Sequence, residues 1–170
     1  TRYNKSRYLS KNNQNIHRIS LISKHFHSSN ILVPFRDPIQ HSYSLLKQHK
    51  RFNQFANKNN FIAKYMYLIG HTEFGPNYKP IIFKELNFTS PSDINHWLEQ
   101  WYLNYKHAFD NYLKVKNVNF ISYEKICNSK EYWFQLLEIL EIKPFDFLFQ
   151  ESRKEFMLDI DIKLKNKALN

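Results

Sequence analysis

Val33-Pro34-Phe35-Arg36-Asp37-Pro38-Ile39-Gln40-His41-Ser42-Tyr43-Ser44 is the stretch on which the fold turns. Asn30 to Phe35 is a short apolar run bounded by polar residues, the pattern of a buried strand, with Pro34 tolerated near its end. Asp37-Pro38 then starts a helix, since Asp is a favoured N-cap and Pro is favoured at the first helical position. That helix is expected to run to about Phe55. Arg36 therefore leaves a strand end just where helix amides begin and carry partial positive charge. Ser44 lies about 9 Å further along the helix axis than Pro38. An Arg side chain lying back along the helix could hold a phosphate bidentately, together with the Ser44 hydroxyl. The alternative is that Arg36 pairs with a carboxylate and Ser44 is an ordinary helix residue.

Outward from this stretch, the pattern alternates between strands and helices. Ser6 to Ser10 reads as a short strand, and Asn13 to Phe26 carries apolar residues close to helical spacing. Phe61 to Leu68 reads as a helix, and His71 to Phe88 as irregular chain. A long helix starts at Ser90 or Ser92 and runs through Tyr112. Asn117 to Ser122 is a further strand, and Trp133 to Leu140 the last clear helix. Strands alternating with long helices imply an α/β layer fold with a parallel sheet, whose ligands sit at the C-terminal strand ends. Trp97, Trp101, Tyr105 and Phe109 recur at i,i+4 and read as a core stripe. Lys163, Lys165 and Lys167 read as a solvated face.

Composition sets outer bounds. A chain of 170 residues with 42% hydrophobic residues can bury a core as one domain. No apolar run is long enough to span a membrane, and no signal peptide is visible. The chain opens at Thr1, so residues are expected upstream. Cys127, the one cysteine, cannot form an intramolecular disulfide and fits a reducing, cytoplasmic setting. A net charge of +10, from 25 Lys+Arg against 15 Asp+Glu, attracts phosphates, sulfates, nucleic acid or acidic membranes. It also fits the Asn-, Lys-, Ile-, Phe- and Tyr-heavy composition that A/T-rich codons favour. Gly70 and Gly75 are the two glycines, so no Gly-rich phosphate loop exists in the chain. His25 and His27 point about 200° apart on a helix, and with no Cys pair the pattern holds no metal site.

The Arg36 to Ser44 stretch resembles the 3′-phosphate-binding motif of the sulfotransferases that use PAPS (3′-phosphoadenosine 5′-phosphosulfate). That family places Arg at a strand end and Ser eight residues later, as Arg36 and Ser44 stand here. Ile121-Ser122-Tyr123-Glu124-Lys125-Ile126 resembles the family's strand-end Tyr-Glu-Asp-Leu segment, which implies that Tyr123 contacts the adenine. Lys11, in Leu9-Ser10-Lys11-Asn12-Asn13, stands where the family has a Lys for the transferring sulfuryl oxygens. The resemblance implies a P-loop-type parallel sheet flanked by helices in a single domain over 1–170, incomplete at the N-terminus. It implies transfer of a sulfuryl group from PAPS to a hydroxyl or amine of a small-molecule or glycan acceptor, with no metal.

The family's Gly-containing 5′-phosphosulfate loop is absent, so these residues alone are expected to be inactive. Asn13 and Ser10 stand at the two positions where relatives carry a base. The local candidates are His71 and Glu73, in Gly70-His71-Thr72-Glu73-Phe74-Gly75, where the glycines permit close backbone approach. The alternative there is a structural turn. Two other functions remain open: a non-catalytic nucleotide-binding or scaffold protein of the same fold, and a basic nucleic-acid-binding domain, for which no recognised motif appears.

Overall fold

The computed structural model describes residues 7–82, 84–145 and 159–170. The elements run in order: a 3-10 turn Asn13–His17, α1 Ile19–His25, β1 Ile31–Phe35, α2 Pro38–Lys58, α3 Asn60–Leu68, α4 Ile94–Tyr112, β2 Val118–Ser122, α5 Tyr123–Asn128, α6 Lys130–Ile139 and α7 Ile162–Leu169. β1 and β2 pair in parallel, from Ile31 opposite Val118 to Phe35 opposite Ser122. Parallel strands need a long crossover, and α2, α3 and α4 supply it. Val33 and Val118 bury one face of this pair with Ile19 of α1, and Tyr105, Tyr112 and Phe120 close around them.

The helix starts follow from local capping. The Asp37 carboxylate accepts from Gln40 N at 2.8 Å, with Pro38 in the first turn. α4 begins at Ile94, capped by Asp93, whose carboxylate accepts from Asn95 N. Ser122 and Ser129 cap α5 and α6 through Lys125 N and Tyr132 N. Each such cap satisfies one amide that the first turn leaves without a helical partner.

α2 and α4 pack along a stripe. Pro38, Ser42, Leu46 and His49 are buried on α2, and Leu46 meets Ile94 and Trp97 in a second apolar cluster. The aromatic ladder of α4 carries this core toward the sheet. Trp101 stacks on Tyr105 at 4.6 Å, and Phe109 lies 4.4 Å from Phe120 and edge-on to Phe35.

The irregular segment 71–93 is held down by buried polar groups. Gly75 N donates to His49 Nδ1, and Nε2 of that ring pairs with the Asn53 amide. Gly75 has φ +82°, and a Cβ there would meet the Phe52 Cβ at 3.1 Å, so glycine is required at this approach. His96 Nδ1 donates to Phe88 O, which leaves Nε2 to accept from the Tyr78 hydroxyl. The buried Glu99 carboxylate accepts from Asn87 N, Asn87 Nδ2 and Phe88 N.

Three features differ from the sequence reading. Residues 7–10 form no strand; Ser6, at the start of that expected strand, lies outside the described residues. A strand needs a ladder partner, whereas here the Arg7 guanidinium donates to the carbonyls of Leu140 and Glu141 at the end of α6, with Tyr8 and Leu9 left exposed. The helix expected over 13–26 is broken. Asn12 caps Gln14 N to set a 3-10 turn, and Arg18 at φ −114° leaves helical geometry before α1 begins. The fold is mixed helix and strand with a two-stranded parallel sheet among the described residues, so the expectation holds at that coarse level, and the described residues do not form the larger sheet of a P-loop fold.

Glu99→Gln should remove the carboxylate that gathers three donors and turn one acceptor into a donor facing them. The expected loss is about 2–3 kcal/mol of unfolding free energy. Lys163→Ala, on the exposed face of α7, should change it by less than about 0.5 kcal/mol. Urea denaturation followed by tryptophan fluorescence measures both; equal stabilities would mean that the 71–93 segment is not held by Glu99.

Candidate functional site

Parallel register sets the site. Phe35 and Ser122 are partners at the C-terminal ends of adjacent strands, so the next residues, Arg36 and Tyr123, emerge side by side. The Arg36 guanidinium carbon lies 5.1 Å from the centre of the Tyr123 ring. Its Nη1 donates to Ser44 Oγ at 3.3 Å, so the side chain does lie back along the first turns of α2. Ser44 Oγ in turn donates to Gln40 O at 3.0 Å, which orients the hydroxyl lone pairs toward the guanidinium.

Arg36 lacks the partner that the simpler reading assigns it. Among the described residues Lys106 and Asp110 form an ion pair, and Arg36 forms none. Its Nε is buried without a hydrogen-bond partner. A buried donor left unmade costs free energy, and guanidinium presents a fork that matches phosphate geometry. The Tyr123 ring and the Ser44 hydroxyl are the contacts that hold the guanidinium.

Glu124 occupies the neighbouring helix end. Its Oε1 accepts from Asp37 N at 2.9 Å, and Ser122 Oγ donates to Oε2 at 3.4 Å. Two carboxylates therefore already satisfy amides at the start of α2: Asp37 through Gln40 N, and Glu124 through Asp37 N. The amides of Asp37 and Gln40 are therefore already engaged, and Arg36, held against Ser44, is the cationic group beside them.

His41 lies beneath this group. Trp101 Nε1 donates to His41 Nδ1 at 3.2 Å, and the Tyr105 hydroxyl donates to Pro34 O at 2.8 Å. Burial, then the Arg36 charge, lower the His41 pKa from 6.5 to about 4, while Glu124 acts weakly the other way. A neutral His41 beside Arg36 keeps the guanidinium from facing a second cation. Burial lifts the Tyr105 hydroxyl to about 12. The Tyr123 hydroxyl is also raised, chiefly by its hydrogen bond with the Cys127 thiol one turn on, and then by burial.

Arg36, Ser44 and Tyr123 are thus brought together. His71 and Glu73 lie in a separate neighbourhood, and no hydrogen bond or ion pair joins Lys11 to either among the described residues. His71 stacks flat on Phe52, with ring centres 5.1 Å apart and planes 2° apart, and its Nδ1 is buried without a partner. Glu73 accepts from Asn13 Nδ2 at 3.1 Å. Asn13 follows Lys11 by two residues, so that bond ties the chain around the exposed Lys11 to the Gly-flanked turn. Phe52 lies about 12 Å beyond Ser44 along the α2 axis. Among the described residues no cluster of His, Cys, Asp and Glu has the arrangement of a metal site.

His41, Trp101, Glu124 and Cys127 were not singled out as site residues from the sequence. The available signals were helical. His41 precedes Ser44 by three positions and so shares its face, and Cys127 stands four after Tyr123. Glu124 carried an N-terminal-turn signal only, and nothing local reveals that it crosses to Asp37. No protein-family model matches the chain, and no curated protein or solved structure matches it at a significant level.

Because the His41 pKa is lowered in the folded state, the unfolded chain binds more protons below pH 6.5. The His41 contribution to stability is therefore complete above about pH 6.5 and lost as pH falls toward 4, by on the order of 3 kcal/mol. His17 and His49, both lowered first by burial, act in the same direction. His41→Gln should flatten the wild-type fall between pH 6.5 and 4 by that amount, read as the difference between two urea-unfolding series. Parallel pH profiles would mean that His41 takes up its proton in the folded state as readily as in the unfolded one.

Proposed function

We propose that the chain grips the 3′-phosphate of PAPS and belongs to a sulfotransferase that moves a sulfuryl group to a hydroxyl or amine. The observation that carries this reading is the Arg36 guanidinium, unpaired by any carboxylate among the described residues, lying over Tyr123 and against Ser44. A doubly acidic phosphate satisfies the fork and the buried Nε together. Ser44 would turn its hydroxyl from Gln40 O to the incoming oxygen. Tyr123, two-fifths exposed, offers an aromatic face and a hydroxyl suited to a purine.

The reaction is an in-line displacement. The acceptor oxygen or nitrogen attacks sulfur, the bond from sulfur to the bridging phosphate oxygen breaks, and adenosine 3′,5′-bisphosphate leaves. Lys11 is suited to hold the sulfuryl oxygens as negative charge moves to the leaving phosphate. Glu73 or His71 is suited to take the acceptor proton. His71 packs on Phe52 of α2, about two turns beyond Ser44, which on this reading separates the proton acceptor from the 3′-phosphate grip. The reading as a non-catalytic nucleotide binder keeps the same Arg36 site and drops the proton transfer.

Isothermal titration with adenosine 3′,5′-bisphosphate tests the site. Arg36→Ala should weaken binding by about 2–4 kcal/mol, and Ser44→Ala by about 1 kcal/mol. Adenosine 5′-monophosphate, which lacks the 3′-phosphate, should bind wild type no better than the bisphosphate binds Arg36→Ala. Unchanged affinity in a folded Arg36→Ala variant rejects the site. In a chain that carries sulfotransferase activity, His71→Ala or Glu73→Gln should lower turnover by about 100-fold or more with bisphosphate affinity kept. Full turnover in both variants places the base elsewhere.

A further inference from the structure

From Pro38 to Thr72 the chain contains no acidic residue, yet carries Lys47, Lys50, Arg51, Lys58 and Lys64. All five cations are exposed. α3 follows within this stretch, and none of its residues is buried. Ile62, Ala63 and Met66 are the half-buried positions and mark its inward side. Phe61, Tyr65 and Leu68 fall within an arc of about 60° on the opposite side, at 3.6 residues per turn. Their exposures are 70%, 51% and 80%. Phe61 and Tyr65 stack on each other at 6.1 Å and 18°, so the strip is an ordered apolar ridge. Phe55, 42% exposed at the end of α2, lies beneath the Arg51 guanidinium at 5.2 Å.

We propose that α3, with the last turns of α2, is a seat for an anionic lipid surface. A short helix with aromatic and aliphatic side chains outward and cations at its flanks is the physical form of an interfacial helix. The apolar ridge enters the boundary between headgroups and acyl chains, while the long stems of Lys58 and Lys64 let their ammonium groups rise to the headgroups. The ridge has no acidic partner within 38–72. A second copy would oppose cations to cations across a symmetric contact, and a polyanion in water would leave Leu68 and Phe61 without a use. The charge of the face fits phosphatidylserine-type headgroups, where each nearby cation adds to attraction. This reading is independent of the Arg36 site.

Vesicle sedimentation tests it, with phosphatidylcholine alone and with phosphatidylcholine containing about 30 mol% phosphatidylserine. The wild-type chain should bind the anionic vesicles at least tenfold more tightly than the neutral ones, and added salt should weaken that binding. The double variant Phe61→Ser/Leu68→Ser should lose tenfold or more in affinity. The double variant Lys58→Gln/Lys64→Gln should lose the preference for anionic vesicles. These side chains are exposed, so circular dichroism should show native helix content in both variants. The proposal is overturned if wild type stays in the supernatant, if it binds both vesicles equally, or if Phe61→Ser/Leu68→Ser binds as wild type does. It is also overturned if light scattering shows a dimer that this variant converts to monomer, because the ridge then belongs to a second copy.

Discussion

The pairing of β1 with β2 is the constraint from which the rest of the molecule follows. Two parallel strands of five residues each bury little by themselves, and each still has an unpaired edge within the described sheet. Pro34 fits this arrangement, since a strand paired on one side can spare an amide. Stability must therefore come from what covers the strand faces: Ile19, Tyr105 and Tyr112 on one cluster, and Phe109 against Phe35 and Phe120. The same register aligns Phe35 with Ser122. Slippage by one residue would flip every side chain to the other face and would also separate Arg36 from Tyr123. Fold and site therefore depend on one alignment.

α4 transmits that alignment to the distant half of the chain. Its first turns are buried nearly all round and engage Leu46 through Trp97. Trp101 and Tyr105, one turn apart, bond to His41 and to the carbonyl of Pro34. A single helix thereby touches the strand end, the first turn of α2 and the segment held by Glu99. Small shifts of α4 would be felt at all three places, because packed cores hold discrete arrangements.

Legibility from sequence followed the range of the interactions. Asp37-Pro38 announced α2, because an N-cap and its amide lie three residues apart. Arg36 and Ser44 were legible for the same reason, as both ride on one continuous strand and helix. Tyr123 was named from the resemblance of its strand-end segment to a family motif, and its place beside Arg36 comes from the parallel register. α5, with six residues, is too short for periodicity to show, and α7 buries Leu164 alone, so neither stood out. Residues 7–10 read as a strand by composition, but strand formation is decided by a partner, and Arg7 found carbonyls of α6 instead. The bond of Glu124 to Asp37 N and that of Trp101 to His41 were invisible because they depend on the parallel register and on α4. The pattern that named α3 a helix could not show that its apolar side faces outward.

The unpartnered Arg36 Nε and the exposed ridge are opposite kinds of unsatisfied surface. One leaves a polar donor without a partner, and the other leaves apolar surface in water. Each lowers the stability of the isolated chain, since a buried unmade hydrogen bond and exposed hydrocarbon both carry a free-energy cost. Arg36 is flanked by a stacked Tyr123 and an oriented Ser44, and the ridge is flanked by cations with no acid among them. A ligand that binds the native state alone would convert each cost into stabilisation by mass action. An anion is the complement of the first, and a surface both apolar and anionic is the complement of the second. The positive charge is thus arranged differently in the two places, compact at the strand ends around Arg36 and spread along one helical stretch beside α3.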